Sequence, residues 1–250
     1  MHFNSEINYN FKMKGQQTSK IIIQSRFCGP PNSAHGGYTC GLLASFIDGI
    51  AEVKLRQPPP LEKELDVEIL HDSTVILKER QAIVAEARPA RLDIDVPEPP
   101  TYQEAEDAAK KYLLKDDHLF PTCFVCGPKR DKDDCFCIFA GPVAGKPMVA
   151  SPWTPDKSLV DETGRVRPEF IWAGLDCPGA YAVMDTPPSL IMLGTFSADI
   201  KERPYPGDIC ITIGWEIARE GKKRSAGTAL FSKTGKLLGK AKAIWIEINS

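Results

Sequence analysis

The apolar and polar positions along the chain fall into two passes that share one order. In the first, residues 20–28 read as a strand, and Gly29-Pro30-Pro31-Asn32 stops it. His35-Gly36-Gly37 then opens an apolar run over 38–47 that has the length and period of a helix. Next come residues 51–56, a Pro58-Pro59-Pro60 break, and runs of β-formers over 64–70, 73–79 and 81–94. The second pass begins near Cys135, with short strands predicted over 136–140 and 148–151. Arg167-Pro168-Glu169 marks a helix start, with proline at the first helical position and an acid in the first turn. That helix is predicted over 168–184. Strands are predicted over 191–201, 209–218, 224–232 and 237–248, separated by Pro204-Tyr205-Pro206-Gly207, residues 219–222 and Thr234-Gly235.

Both predicted helices are apolar almost all round, so each must be enclosed rather than laid on a surface. A curved antiparallel sheet wrapped around one central helix meets that demand. Two such sheets set edge to edge remove two exposed edges. The expected class is α+β, built from two fused halves, with two unrelated α+β domains as the competing organisation. The divisions follow the breaks: a disordered leader over 1–19, a first half over 20–95, a linker over 96–117 and a second half over 118–250. Within the linker, residues 101–115 are polar and predicted helical.

Composition narrows the function classes. The chain has 250 residues, 42% hydrophobic and 26% charged, with a formal net charge of −2. Nothing in that balance points to nucleic acid or an acidic membrane surface as a partner. No run approaches the ~18 apolar residues of a membrane span, and residues 1–20 lack the apolar core of a signal peptide. A cytoplasmic location is therefore expected. Of the eight cysteines, Cys28, Cys40, Cys177 and Cys210 stand alone in apolar surroundings. The others form Cys123-x-x-Cys126 and Cys135-x-Cys137. That spacing suits a tetrahedral zinc, with His118 as a replacement ligand, or equally ordinary core packing. The expectation is no resident metal and no cofactor.

Two segments carry a family likeness. His118-Leu119-Phe120-Pro121-Thr122-Cys123-Phe124-Val125-Cys126-Gly127-Pro128 is similar to the Cys-Phe-x-Cys-Gly-Pro opening of hotdog thioesterases of the phenylacetate-pathway type. His35-Gly36-Gly37 before an apolar helix resembles the helix start of the same superfamily. The fused arrangement resembles the double-hotdog acyl-CoA thioesterases, over residues 20–95 and 118–250. This resemblance implies a double hotdog and a thioesterase acting on an acyl-CoA or acyl-carrier-protein thioester. In that superfamily an acid stands nine residues after the helix-start histidine. Here that place is Ala44 in the first half, while Asp176 stands nine after Arg167 in the second, where paired glycines are missing. One composite site is thus implied, and its twin is not.

The resemblance also implies roles. Gly36 and Gly37 would offer backbone amides to the oxyanion, with His35 and Asn32 as flanking hydrogen-bonding groups. Asp176 would act as base or nucleophile, about 6–9 Å from the amide nitrogens to leave room for a carbonyl and a water. Thr195 resembles a strand threonine that orients water, but the glutamine its relatives carry in the last strand has no counterpart in residues 240–243. Plainer readings stand beside these. Asp176 would accept bonds from a proline-broken turn at Pro178-Gly179, His35 would cap a loop, Thr195 would be a strand former, and Asp48 a solvated helix end. The basic turn Lys222-Lys223-Arg224 would be solvated or touch CoA phosphates. The alternative function is a non-catalytic acyl-ligand binding protein. A homodimer stays open. A hydratase is disfavoured because no histidine follows His118.

Overall fold

The computed structural model describes residues 8–10, 17–112, 118–185 and 187–248. Among these, the β-former runs become twelve strands of one sheet: β1 (Asn8–Asn10), β2 (Gln17–Ile22), β3 (Ala51–Leu55), β4 (Glu64–Ile69), β5 (Val75–Glu79), β6 (Ala82–Pro89), β7 (Gly141–Pro142), β8 (Val149–Trp153), β9 (Ile191–Ile200), β10 (Cys210–Glu220), β11 (Lys223–Ser232) and β12 (Leu237–Glu247). Their order is β1-β2-β4-β5-β6-β3-β9-β12-β11-β10-β8-β7, and every pairing is antiparallel. The two passes meet where β3 pairs with β9, setting Val53 opposite Phe196 and Ala51 opposite Ala198. Each edge there is covered by the other pass, which removes two unpaired ladders.

The apolar helices are enclosed as their composition demands. Every residue of α1 (Gly36–Ala44) after the first is buried. A later helix, Pro168–Val183, is buried without a break from Glu169 to Gly179. The polar helix between the passes, α2 (Tyr102–Lys110), starts at a Thr101/Glu104 capping box. It buries Ala105 and Ala108 among Ile211, Ile213 and Phe231, a core cluster separate from the one around the two apolar helices. The Pro168–Val183 helix is α3 below.

Three elements differ from their expectation. Asn8–Asn10 and Gln17–Ile22 pair with each other, so the described part of the expected leader has strand structure. Residues 136–140 form no regular ladder; they run past the Cys123 segment, with Phe136 N–H on Phe124 O and Ile138 N–H on Val125 O, both at 2.9 Å. The first helix ends at Ala44, where Ser45 caps it. Residues 1–7, 11–16 and 113–117 of the expected leader and linker lie outside the described residues. Among the described residues, no helix is long and apolar enough to cross a membrane.

Candidate active site

Two glycines one turn apart let α1 and α3 approach more closely than any other residue would allow. A Cβ on Gly41 would fall 2.6 Å from Glu169 Cα, and one on Gly37 would fall 2.5 Å from Asp176 Cβ. With no side chain there, the start of α1 sits against Asp176, one turn beyond Trp172 on α3. The Gly37 N–H donates to Asp176 Oδ2 at 2.6 Å. His35 caps α1 by accepting the Tyr38 N–H on Nδ1 at 3.3 Å, and the same nitrogen lies 3.4 Å from Asp176 Oδ2. Both side chains are almost wholly buried.

Burial is the dominant influence on the carboxylate. It raises Asp176 to about 6, against the opposing pull of His35 and the Gly37 amide. Burial alone would lower His35, but the neighbouring carboxylate and Cys123 hold it above its ordinary value. Asp176 Oδ1 is buried without a hydrogen-bond partner among the described residues. A lone buried acceptor costs about 1–3 kcal/mol, and more when charged, so this oxygen is set for something other than stability.

This geometry corrects the sequence reading in two respects. The expected gap of about 6–9 Å between carboxylate and amide is not present, because Gly37 bonds Asp176 directly. The Gly37 amide is therefore occupied by the carboxylate. As the first helical residue, Gly36 has no intrahelical acceptor for its own amide, and it lines the cavity beside the site. The proline-broken turn also does not exist, since α3 continues through Pro178 to Val183. Asp176 sits inside a helix, with no turn to serve.

The cavity holds about 380 Å³. His35, Gly36 and Asp176 stand at its polar end, and Leu55, Met184, Leu193 and Ile246 supply apolar wall. Ala44 faces a different cavity, together with Pro168 and Trp172 of α3. There the helix start is a proline, which has no N–H, and the opposing helix offers no acid.

The structure does not bring Thr195 to this cluster. The register between β9 and β12 slips at Gly194, which has no partner, while Leu193 pairs with Trp245 and Thr195 with Ile244. Such a bulge resets the alternation of faces. Leu193 lines the cavity and Phe196 packs on Trp172 at 5.3 Å between ring centroids, which turns Thr195 to the other face. Thr195→Val should leave turnover within about twofold, since a strand hydroxyl off the cavity touches no reacting atom. Asn32 and Asp48 are exposed. Asp48→Asn should leave thermal stability and any activity unchanged within about 0.5 kcal/mol, as surface changes do. Arg224 is buried and donates to Val183 O at 2.9 Å while pairing with Asp185 and Glu247, so it is committed inside the molecule.

The cysteines regroup. Cys135 and Cys137 are joined to each other, so the ligand set of two consecutive cysteine pairs does not form. Cys123 and Cys126 face the cavity instead with Cys177, which the sequence reading set apart as a lone cysteine in an apolar segment. His118 Nε2 lies 3.4 Å from Cys126 Sγ and 2.8 Å from the Tyr181 hydroxyl, and both residues line the same cavity.

No protein-family model matches the sequence. No curated protein matches it either. Solved structures do. The tesB protein of Mycobacterium avium subspecies paratuberculosis superposes with a TM-score of 0.62 at 12% identity, covering 98% of this chain and 96% of that one. A conserved hot dog fold protein from Alicyclobacillus acidocaldarius superposes at 0.61 with 10% identity, covering 97% and 96%. A thioesterase candidate from Novosphingobium aromaticivorans gives 0.61 at 13% identity over 95% and 98%. At such identities the likeness is one of fold. Two curved antiparallel sheets, each around its own buried helix, joined at β3–β9 and matched end to end by these structures, make this chain a double hotdog.

Proposed function

We propose that the protein hydrolyses an acyl thioester, carried on coenzyme A or an acyl carrier protein, at the site formed by His35, Gly36, Gly37 and Asp176. The observation that carries this reading is Asp176 itself. One carboxylate oxygen is held by the Gly37 amide at the start of α1, and the other is buried without a partner. The cavity beside it is mostly apolar, as an acyl chain requires.

The chemistry follows from those contacts. The thioester carbonyl lies at the N-terminus of α1, where the Gly36 N–H and the positive end of the helix stabilise the oxyanion. Asp176 Oδ1 takes a proton from water as the water oxygen attacks the carbonyl carbon. Collapse of the tetrahedral intermediate breaks the C–S bond and releases the thiolate, which the Asp176 proton then neutralises. Gly37 keeps the carboxylate in place, and His35 flanks it. The match over 95% of this chain to a structure described as a thioesterase candidate supports the assignment at the level of fold.

The test is a hydrolysis screen across acyl-CoA chain lengths and acyl-carrier-protein thioesters, read as release of free thiol. Turnover with a clear chain-length optimum is expected. Tight retention of acyl ligands with no thiol released from any of them would sink the proposal and make the protein an acyl-ligand carrier.

A further inference from the structure

The cluster of metal-binding atoms in the described chain adds two thiols, which take no part in that chemistry, to the histidine that flanks Asp176. A His35 ring nitrogen and the thiols of Cys123 and Cys177 all lie within 4.8 Å of one another, and all three residues are buried. His35 Nε2 itself is 3.3 Å from Cys177 Sγ. Cys126, three residues on from Cys123 in the same turn, is buried and lines the same cavity as Cys123 and Cys177, which brings a third thiol beside the group. Tetrahedral zinc with Zn–S near 2.3 Å sets its sulfur ligands about 3.8 Å apart. Closing His35, Cys123 and Cys177 around an ion therefore needs shifts of about 1 Å or less.

We propose that Cys123, Cys126, Cys177 and His35 form a four-ligand zinc site at the floor of the cavity. Three local features support it. The Cys123-x-x-Cys126 turn is folded tightly, with the Gly127 N–H on Cys123 O at 2.8 Å. A Cβ on Gly127 would lie 2.6 Å from both Cys123 N and Cys123 O, so the turn that presents both thiols requires glycine. Asp176 Oδ2 lies 3.4 Å from His35 Nδ1, on the side away from the thiols. On metal binding the Nδ1 proton is donated to this carboxylate, in place of the Tyr38 N–H that Nδ1 accepts in the structure, and Nε2 is freed as ligand, the usual arrangement behind a zinc-bound histidine.

The second histidine plays a different part. His118 Nδ1 receives the Phe120 N–H at 2.8 Å, which leaves the ring proton on Nε2, facing Cys126 and Tyr181. It is a hydrogen-bond donor to a ligand sulfur, not a ligand. With all four positions filled by protein, the ion is structural. It ties the segment between the halves to the cap of α1 and to the middle of α3. The site shares His35 with the thioester reading, but its metal content is tested independently of that reading. It reverses the expectation of a metal-free protein.

The experiment reads metal directly. Full-length protein purified without chelator should contain about one zinc per chain. After stripping under reducing conditions, titration with Co²⁺ alone should give the intense visible bands of tetrahedral cobalt and a thiolate-to-cobalt charge-transfer band, saturating near one equivalent. Cys123→Ser and Cys177→Ser should each weaken cobalt binding at least about 100-fold, while Cys210→Ser binds as wild type. His118→Gln should keep the tetrahedral spectrum, and His35→Gln should alter it. Because the wild-type spectrum is itself decisive, a variant that fails to fold does not block the test. Weak octahedral cobalt binding by the reduced wild-type chain, or a tetrahedral spectrum that survives Cys177→Ser, overturns the site.

Discussion

Asp176→Asn should lower thioester turnover at least about 100-fold while leaving substrate affinity nearly unchanged, because general-base catalysis contributes about that much. The substitution keeps the shape of the side chain. Its carbonyl oxygen can still accept the Gly37 N–H, the contact now made by Asp176 Oδ2 at 2.6 Å. Its NH2 group then occupies the place of Oδ1, the oxygen that is buried without a partner. That exchange turns an acceptor into a donor at the point where water must lose its proton. The effect therefore belongs in kcat and not in KM. Thermal unfolding measured in parallel separates a chemical loss from a folding loss, since the variant should melt close to wild type. Hydrolysis that persists near the wild-type rate in Asp176→Asn would mean that another group activates the water.

Much of the architecture was legible in the sequence, because it rests on signals that act locally. Period-two runs, glycine and proline breaks, and helices apolar all round each constrain their own segment, and together they require two enclosed helices. Asp176 was legible for the same reason: it is the only charge between Phe170 and Val183 in a helix that must be buried. What escaped depends on contacts between distant segments. Gly41 carries no chemical signal, yet its packing on Glu169 helps set how far α1 sinks onto α3. That depth turned an expected gap into a direct bond between Gly37 and Asp176. Thr195 was assigned by its resemblance to a strand threonine that orients water, and a single unpaired residue at Gly194 turns it to the other face. Cys177 came to Cys123 and Cys126 across about fifty residues of chain. No spacing rule reaches that far. Residues 136–140 have strand composition, but the backbone N–H groups of Phe136 and Ile138 go to the Cys123 turn, and that of Phe139 goes to the Ser151 side chain instead of a ladder carbonyl. Composition alone does not say which partner takes a segment's backbone.

Gly37→Ala should be among the most damaging one-methyl changes in the protein. The new Cβ would lie 2.5 Å from Asp176 Cβ, 2.8 Å from Trp172 O and 2.9 Å from Asp176 Oδ2. Two of those atoms are helix backbone or attached directly to it, so neither can swing aside. The helices must separate, and overpacking of this kind typically costs about 1–3 kcal/mol. Alanine is a better helix former than glycine by up to about 1 kcal/mol, which offsets part of the cost but does not cancel it. For a chain of this length each 1 kcal/mol moves Tm by roughly 2–4 °C, so a drop of several degrees is expected. Gly174→Ala is the matched control. It lies inside α3, where the nearest atom to a new Cβ is Ile138 Cδ1 at 3.5 Å, an ordinary contact. There the helix preference acts alone, and the variant should melt at or slightly above wild type. Turnover separates the two further. Pushing α1 off α3 lengthens the Gly37–Asp176 bond and displaces the Gly36 amide together with it, so Gly37→Ala should lose activity well below its melting temperature. A Gly37→Ala protein that melts with wild type and turns over normally would show that the close approach of α1 to α3 is neither needed for stability nor part of the site.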